Sequence, residues 1–100
     1  MRLDVRPGGQ AEVEHAASWY DGERTGLGLE FIAALDHTFE DLLGSAERNP
    51  IWMTGKPYRR VLLRRFPYMV LYRVEPERVV IVAVAHVRRS PGTWLGREPG

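Results

Sequence analysis

The chain has 100 residues, 44% of them hydrophobic and 27% charged, with no cysteine and a formal net charge of +1. That length supports one hydrophobic core, and the composition excludes wholesale disorder, disulfides and thiolate metal sites. The N-terminus MRLDVRPGG lacks the apolar stretch of a secretion signal, and the longest apolar run, Val79 to Ala85, is far shorter than the ~20 residues that span a bilayer, so a cytoplasmic protein with no membrane partner is expected.

Residues 1–6 alternate Leu3 and Val5 with Arg2, Asp4 and Arg6, which predicts a short strand that ends at PGG. Val13, Ala16, Ala17 and Tyr20 then fall at i, i+3, i+4 and i+7, the spacing of a helix with one apolar face. Glycines at 22, 26 and 28 interrupt that pattern. A second helix is expected through Ile32, Leu35, Phe39, Leu42 and Leu43, with Gly44 as its stop and Pro50 barring continuation. Beyond it the period changes. YRRVLLRRF (58–66), YMVLYRV (68–74) and VVIVAVAHV (79–87) are rich in β-branched and aromatic residues and predict three strands.

The sequence EPER (75–78) predicts a β-turn with Pro76 at its second position. The last strand is apolar on both faces, with Val80, Val82 and Val84 on one and Val79, Ile81, Ala83 and Ala85 on the other, so it belongs in mid-sheet. The expected fold is therefore α+β in the order β-α-α-β-β-β, a helical hairpin packed on a small, mainly antiparallel sheet and forming one domain over residues 1–100.

Charge is divided unevenly. Residues 1–50 hold four basic and ten acidic side chains, whereas residues 51–100 hold ten basic and three acidic. Within one domain this predicts an acidic face and a basic face, the latter suited to a polyanion or an acidic partner.

The phrases WYDGERTGLGLEFIAAL, RRVLLRRFPYMVLYRV and VVIVAVAHVRRSPGTW, in that order, resemble the RelE/ParE superfamily of type II toxin–antitoxin toxins, over about Ala11 to Trp94. Many members are labelled plasmid-stabilisation proteins. The resemblance implies a small cytoplasmic toxin that a cognate antitoxin neutralises, as a homodimer or a toxin–antitoxin hetero-oligomer. It leaves two mechanisms open. ParE-like members inhibit DNA gyrase, and RelE-like members cleave messenger RNA on the ribosome as metal-independent endoribonucleases. A family member that keeps the scaffold without toxicity is a third reading.

Metal-free cleavage of RNA needs a proton acceptor, a proton donor and cations around the phosphate. His86 and Arg88 are the catalytic candidates if the protein is a nuclease, since residues two apart on a strand share a face, with Arg89 opposite. Lys56, Arg59, Arg60, Arg64, Arg65, Arg89 and Trp94 are the candidates for binding nucleic acid or a target protein, and Trp94 or Tyr72 could stack on a base. By the resemblance, Arg88 stands where RelE-like nucleases carry an arginine at the end of the last strand. Met69 stands where they carry a further arginine, and Trp94 replaces their late tyrosine. Gyrase binding is therefore the leading expectation.

His15 and His37 read as surface positions, and Trp19 and Tyr20 as helix-packing aromatics. No histidine pair has metal-ligand spacing, so neither a metal nor a cofactor is expected.

Overall fold

The computed structural model describes residues 1–52 and 55–89. Strand β1 (Arg2–Val5) leads into helix α1 (Pro7–Glu23), which begins on a proline whose missing N–H costs nothing at that position. Helix α2 (Leu27–Ser45) follows, then a 3-10 turn (Ala46–Arg48) and strands β2 (Arg59–Leu62), β3 (Tyr68–Val74) and β4 (Arg78–His86). The strand order is β1-β4-β3-β2, antiparallel except that β1 runs parallel to β4. The architecture is the α+β arrangement expected from periodicity.

The interhelical loop shows why its glycines are needed. Gly26 has φ 91°, a left-handed conformation that side chains disfavour. Gly28 sits inside α2 where it crosses α1, and a Cβ there would lie 2.5 Å from the Ala17 carbonyl oxygen. The Asp21 carboxylate accepts the Gly26 and Gly28 amides at 2.9 and 3.3 Å, so a side chain of α1 caps the N-terminus of α2. Gly22, by contrast, is accommodated within α1 and faces open space.

The buried face of α2 is Gly28, Phe31, Leu35, Thr38 and Leu42. The predicted stripe is therefore rotated. Ile32 and Phe39 are only half-buried, and Leu43 is exposed. The helix also runs one residue past its expected stop at Gly44.

Strand β2 is shorter than the run 58–66 suggested, because the chain turns sharply at Arg65, whose φ is 72°. Leu63 and Phe66 enter the core from that turn. The turn at Glu75–Arg78 closes as EPER predicted, with Glu75 N–H donating to the Arg78 carbonyl at 2.8 Å.

The alternation along β4 breaks in the middle. Leu71 pairs with Ala83 and Tyr72 with Ile81, so Val82 is an extra residue, a β-bulge. Val79, Ile81 and Val84 consequently face the helices, while Val80, Val82, Ala83 and Ala85 face the other side with Met69, Leu71 and Tyr58. The strict two-face assignment from sequence fails at this point. Tyr72 is wholly buried, its hydroxyl donating to the Ala46 carbonyl at 2.6 Å and accepting from Asn49 Nδ2 at 3.0 Å. It is a core residue and offers no stacking surface.

Asp4, Glu75, Arg73 and Arg78 form an ion-pair cluster where β1 meets the β3–β4 turn. The Arg78 and Arg73 guanidiniums hold the Glu75 carboxyl at about 2, below the usual carboxylate range.

Two predictions follow from these contacts. Gly28→Ala pushes on backbone and is expected to cost about 1–3 kcal/mol, a fall in Tm of roughly 4–8 °C per kcal/mol for a chain of this size. Gly22→Ala should leave Tm unchanged or raise stability by up to about 1 kcal/mol; scanning calorimetry of both variants checks the contrast. For Glu75, the depressed carboxyl adds stability that is complete above the unfolded value of about 4.3 and disappears as pH falls through about 2. A Glu75→Gln variant should therefore melt below the parent at pH 7, with the gap closing as pH is lowered from 4 to 2 in parallel thermal melts.

Candidate functional site

The predicted basic residues do not form one surface. Register places Arg59 opposite Tyr72, at the end of the sheet away from His86, and Lys56 and Arg60 lie near it in sequence. Arg59 is taken up structurally, donating to the Glu47 carbonyl at 3.1 Å and to the Asn49 carbonyl. The Arg60 guanidinium lies over the Trp52 ring at 4.9 Å.

Arg64 and Arg65 occupy the β2–β3 turn at the opposite end, near His86. Arg65 bonds Glu30 at 2.8 Å, and Arg24 bonds the other oxygen of the same carboxylate at 2.9 Å. These hydrogen bonds, Arg65 first, lower the carboxyl pKa of Glu30. Trp94 lies outside the described residues.

After His86 the chain turns instead of continuing as a strand. Arg89 N–H donates to the His86 carbonyl at 2.9 Å, and Arg88 N–H donates to His86 Nδ1 at 3.1 Å. The expected pairing of His86 with Arg88 on one strand face therefore does not occur. The turn brings Arg89 back beside His86, and Arg88 is left exposed without a carboxylate partner among the described residues.

His86 and Arg89 form one wall of a cleft whose other wall is α1. Its two lobes, ≈ 320 and ≈ 440 Å³, share His15, Tyr68, His86 and Arg89. Gly8, Ala11, Glu12 and Val84 close the inner lobe; Trp19, Tyr20 and Pro67 close the outer one. Beneath the outer lobe lies an aromatic cluster. Tyr20 stacks on Phe31 at 5.4 Å and meets Phe66 edge-on at 5.0 Å, while Tyr68 contacts both Phe31 and His86 at 5.2 and 5.4 Å. Trp19 meets Tyr20 in a T-shaped contact at 5.1 Å yet remains 56% exposed.

The polar groups of the cleft are mostly donors. Glu12, with a side chain only 12% exposed, accepts the Val84 amide at 2.9 Å and lies 3.9 Å from the Arg89 guanidinium. Burial raises the Tyr68 pKa, with Arg89 opposing and Glu12 reinforcing the shift, so its phenol keeps its proton at neutral pH. The bond from Arg88 N–H to Nδ1 assigns the proton of a neutral His86 ring to Nε2. In that state neither nitrogen is a vacant base.

Sequence reasoning found His86 and Arg89 but missed Glu12, His15, Trp19 and Tyr20 as cleft residues. Their signal was present in the helical spacing. Glu12, His15 and Trp19 follow one line along α1 beside the core-facing stripe of Ala16, which is buried, and Val13, Ala17 and Tyr20, which are half-buried. Among the described residues no group of three or more His, Asp or Glu could hold a metal ion, and no helix is long and apolar enough to cross a membrane.

The family model described as the ParE toxin of the type II toxin–antitoxin system parDE matches residues 5–91. Among solved structures, the chromosomal ParDE TA system from P. aeruginosa matches with a TM-score of 0.76 at 16% identity, over 86% of this chain and 95% of that one, a likeness of fold. No curated protein matches.

Replacing Glu12 tests the buried end of the cleft. Glu12→Ala leaves the Val84 amide without its acceptor and is expected to cost about 1–3 kcal/mol. Glu12→Gln keeps an acceptor and should recover most of that loss. Urea unfolding of the two variants distinguishes these outcomes.

Proposed function

The chain belongs to the ParE toxin family of type II toxin–antitoxin systems, and from that premise we propose that it arrests growth by binding DNA gyrase, with a cognate antitoxin as its neutralising partner. The observation that carries the reading is the family match over residues 5–91. On this reading residues 1–100 act as one toxin domain, and the α1–β4 cleft with its turn at Arg88 and Arg89 is the first place to look for target contacts.

Two observations weigh against the nuclease alternative. Met69, at the position where the resemblance calls for an arginine, is buried on the sheet face opposite the helices and so away from the cleft. His86 holds its Nδ1 on the Arg88 backbone amide, so that nitrogen is already engaged where cleavage of RNA requires a proton acceptor.

A supercoiling assay with purified gyrase and relaxed plasmid tests the proposal. Supercoiling should fall as pure protein is added in excess and recover when the antitoxin is supplied. Growth arrest in cells with no effect on gyrase in the tube would sink the assignment. New codon-linked transcript ends after induction would then favour the ribosomal nuclease.

A further inference from the structure

Charge, hydrogen-bonding capacity and an aromatic surface meet in the α1–β4 cleft, although they come from four separate stretches of chain. His15 and Trp19 lie one turn apart on α1, Tyr68 opens β3, His86 closes β4, and Arg89 returns from the turn beyond it. The acidic group present, Glu12, accepts the Val84 amide and lies 3.9 Å from the Arg89 guanidinium. What remains for a ligand is a set of donors: the Tyr68 hydroxyl, the imidazoles and the guanidinium fork. Several donors converging from different sides suit a phosphate, whose non-bridging oxygens accept from more directions than a single carboxylate does.

The outer lobe adds an exposed indole. Trp19 is more than half exposed and meets Tyr20 in a T-shaped contact, an aromatic ring beside the donor set. An aromatic platform next to cationic groups is the arrangement that holds a base together with its phosphate in single-stranded nucleic acid. A duplex cannot use it without unstacking. The lobes, ≈ 320 and ≈ 440 Å³, lie in the size range of small-ligand sites.

We propose that this cleft binds single-stranded nucleic acid, with one phosphate held by His15, His86 and Arg89 and the adjoining base stacked on Trp19. Arg88, exposed on the same turn, continues the cationic surface toward the next phosphate. The inference stands on the cleft and does not require gyrase to be the target.

Fluorescence anisotropy with a labelled oligothymidylate of about eight nucleotides tests it on the full chain. Binding is expected at about 50 mM salt and should weaken log-linearly as salt rises. Trp19→Ala should weaken binding about tenfold through lost stacking. Arg89→Ala should weaken it comparably, with partial recovery in Arg89→Lys. Trp19 and Arg89 are both substantially exposed, and circular dichroism checks that the variants fold. Arg64→Ala, outside the cleft, is the control for a diffuse basic surface.

No binding at low salt would overturn the proposal. So would an unaffected Trp19→Ala variant, an Arg64→Ala loss equal to that of Arg89→Ala, or equal affinity for a duplex of the same sequence. Gyrase inhibition that persists when oligonucleotide binding is absent would overturn this inference and leave the gyrase reading standing. Oligonucleotide binding without gyrase inhibition would do the reverse.

Discussion

Strand β1 is too short for the strand it pairs with, and much of the structure answers that mismatch. It covers β4 only from Arg78 to Ile81, whereas β4 continues to His86. Past Val5 the edge of β4 would present bare backbone groups inside the fold, and a buried amide without a partner costs about 1–3 kcal/mol. Helix α1 closes the gap. The chain turns at Pro7 straight into the helix, which crosses the uncovered edge and lets Glu12 accept the Val84 amide. A side chain thus stands in for the missing strand. Because a helix cannot lie as close to a strand as another strand does, a cleft remains between α1 and the last residues of β4.

The bulge at Val82 belongs to the same solution. One extra residue in β4 puts Val84 on the helix-facing side with Val79 and Ile81, beside the element that covers the open edge. The aromatic cluster of Tyr20, Phe31, Phe66 and Tyr68 then ties both helices and the β2–β3 turn to the floor of the cleft. Rings packed from four elements, one pair stacked and the others T-shaped, resist relative sliding, so the residues above them are held by core packing. Trp19 and His86 each touch a member of this cluster.

How much of this could be read from the chain depended on the range of the interaction. The helices, the EPER turn and the central strand were legible because periodicity and turn chemistry are local. The bulge was not, since Val79–Ala85 is apolar at every position and offers no polar residue to mark a change of face. The turn after His86 was not legible either, because extending the strand by two residues was the natural reading of AVAHVRR. That extension paired His86 with Arg88, whereas the turn pairs it with Arg89. His15 and Trp19 each have an ordinary reading on a lone helix, as a surface imidazole and a packing aromatic. Only the crossing of α1 over β4 gives them a shared neighbour.

The charge pattern changes meaning in the same way. Ten acidic residues in one half and ten basic in the other suggested two opposed faces. The halves instead interlock through ion pairs, Asp4 with Arg78, Glu12 with Arg89, and Glu30 with Arg65. Each joins the acidic half to the basic half, so part of the asymmetry is spent holding elements in register. Partly exposed pairs of this kind add modest stability, but they shorten the range over which the charges act. The surface therefore presents local features in place of a broad basic field: Arg64 at one turn, Arg88 at another, and a cleft where a guanidinium held near Glu12 sits beside two imidazoles and an exposed indole. Recognition at such a surface rests on fit and hydrogen-bond geometry, with long-range steering secondary.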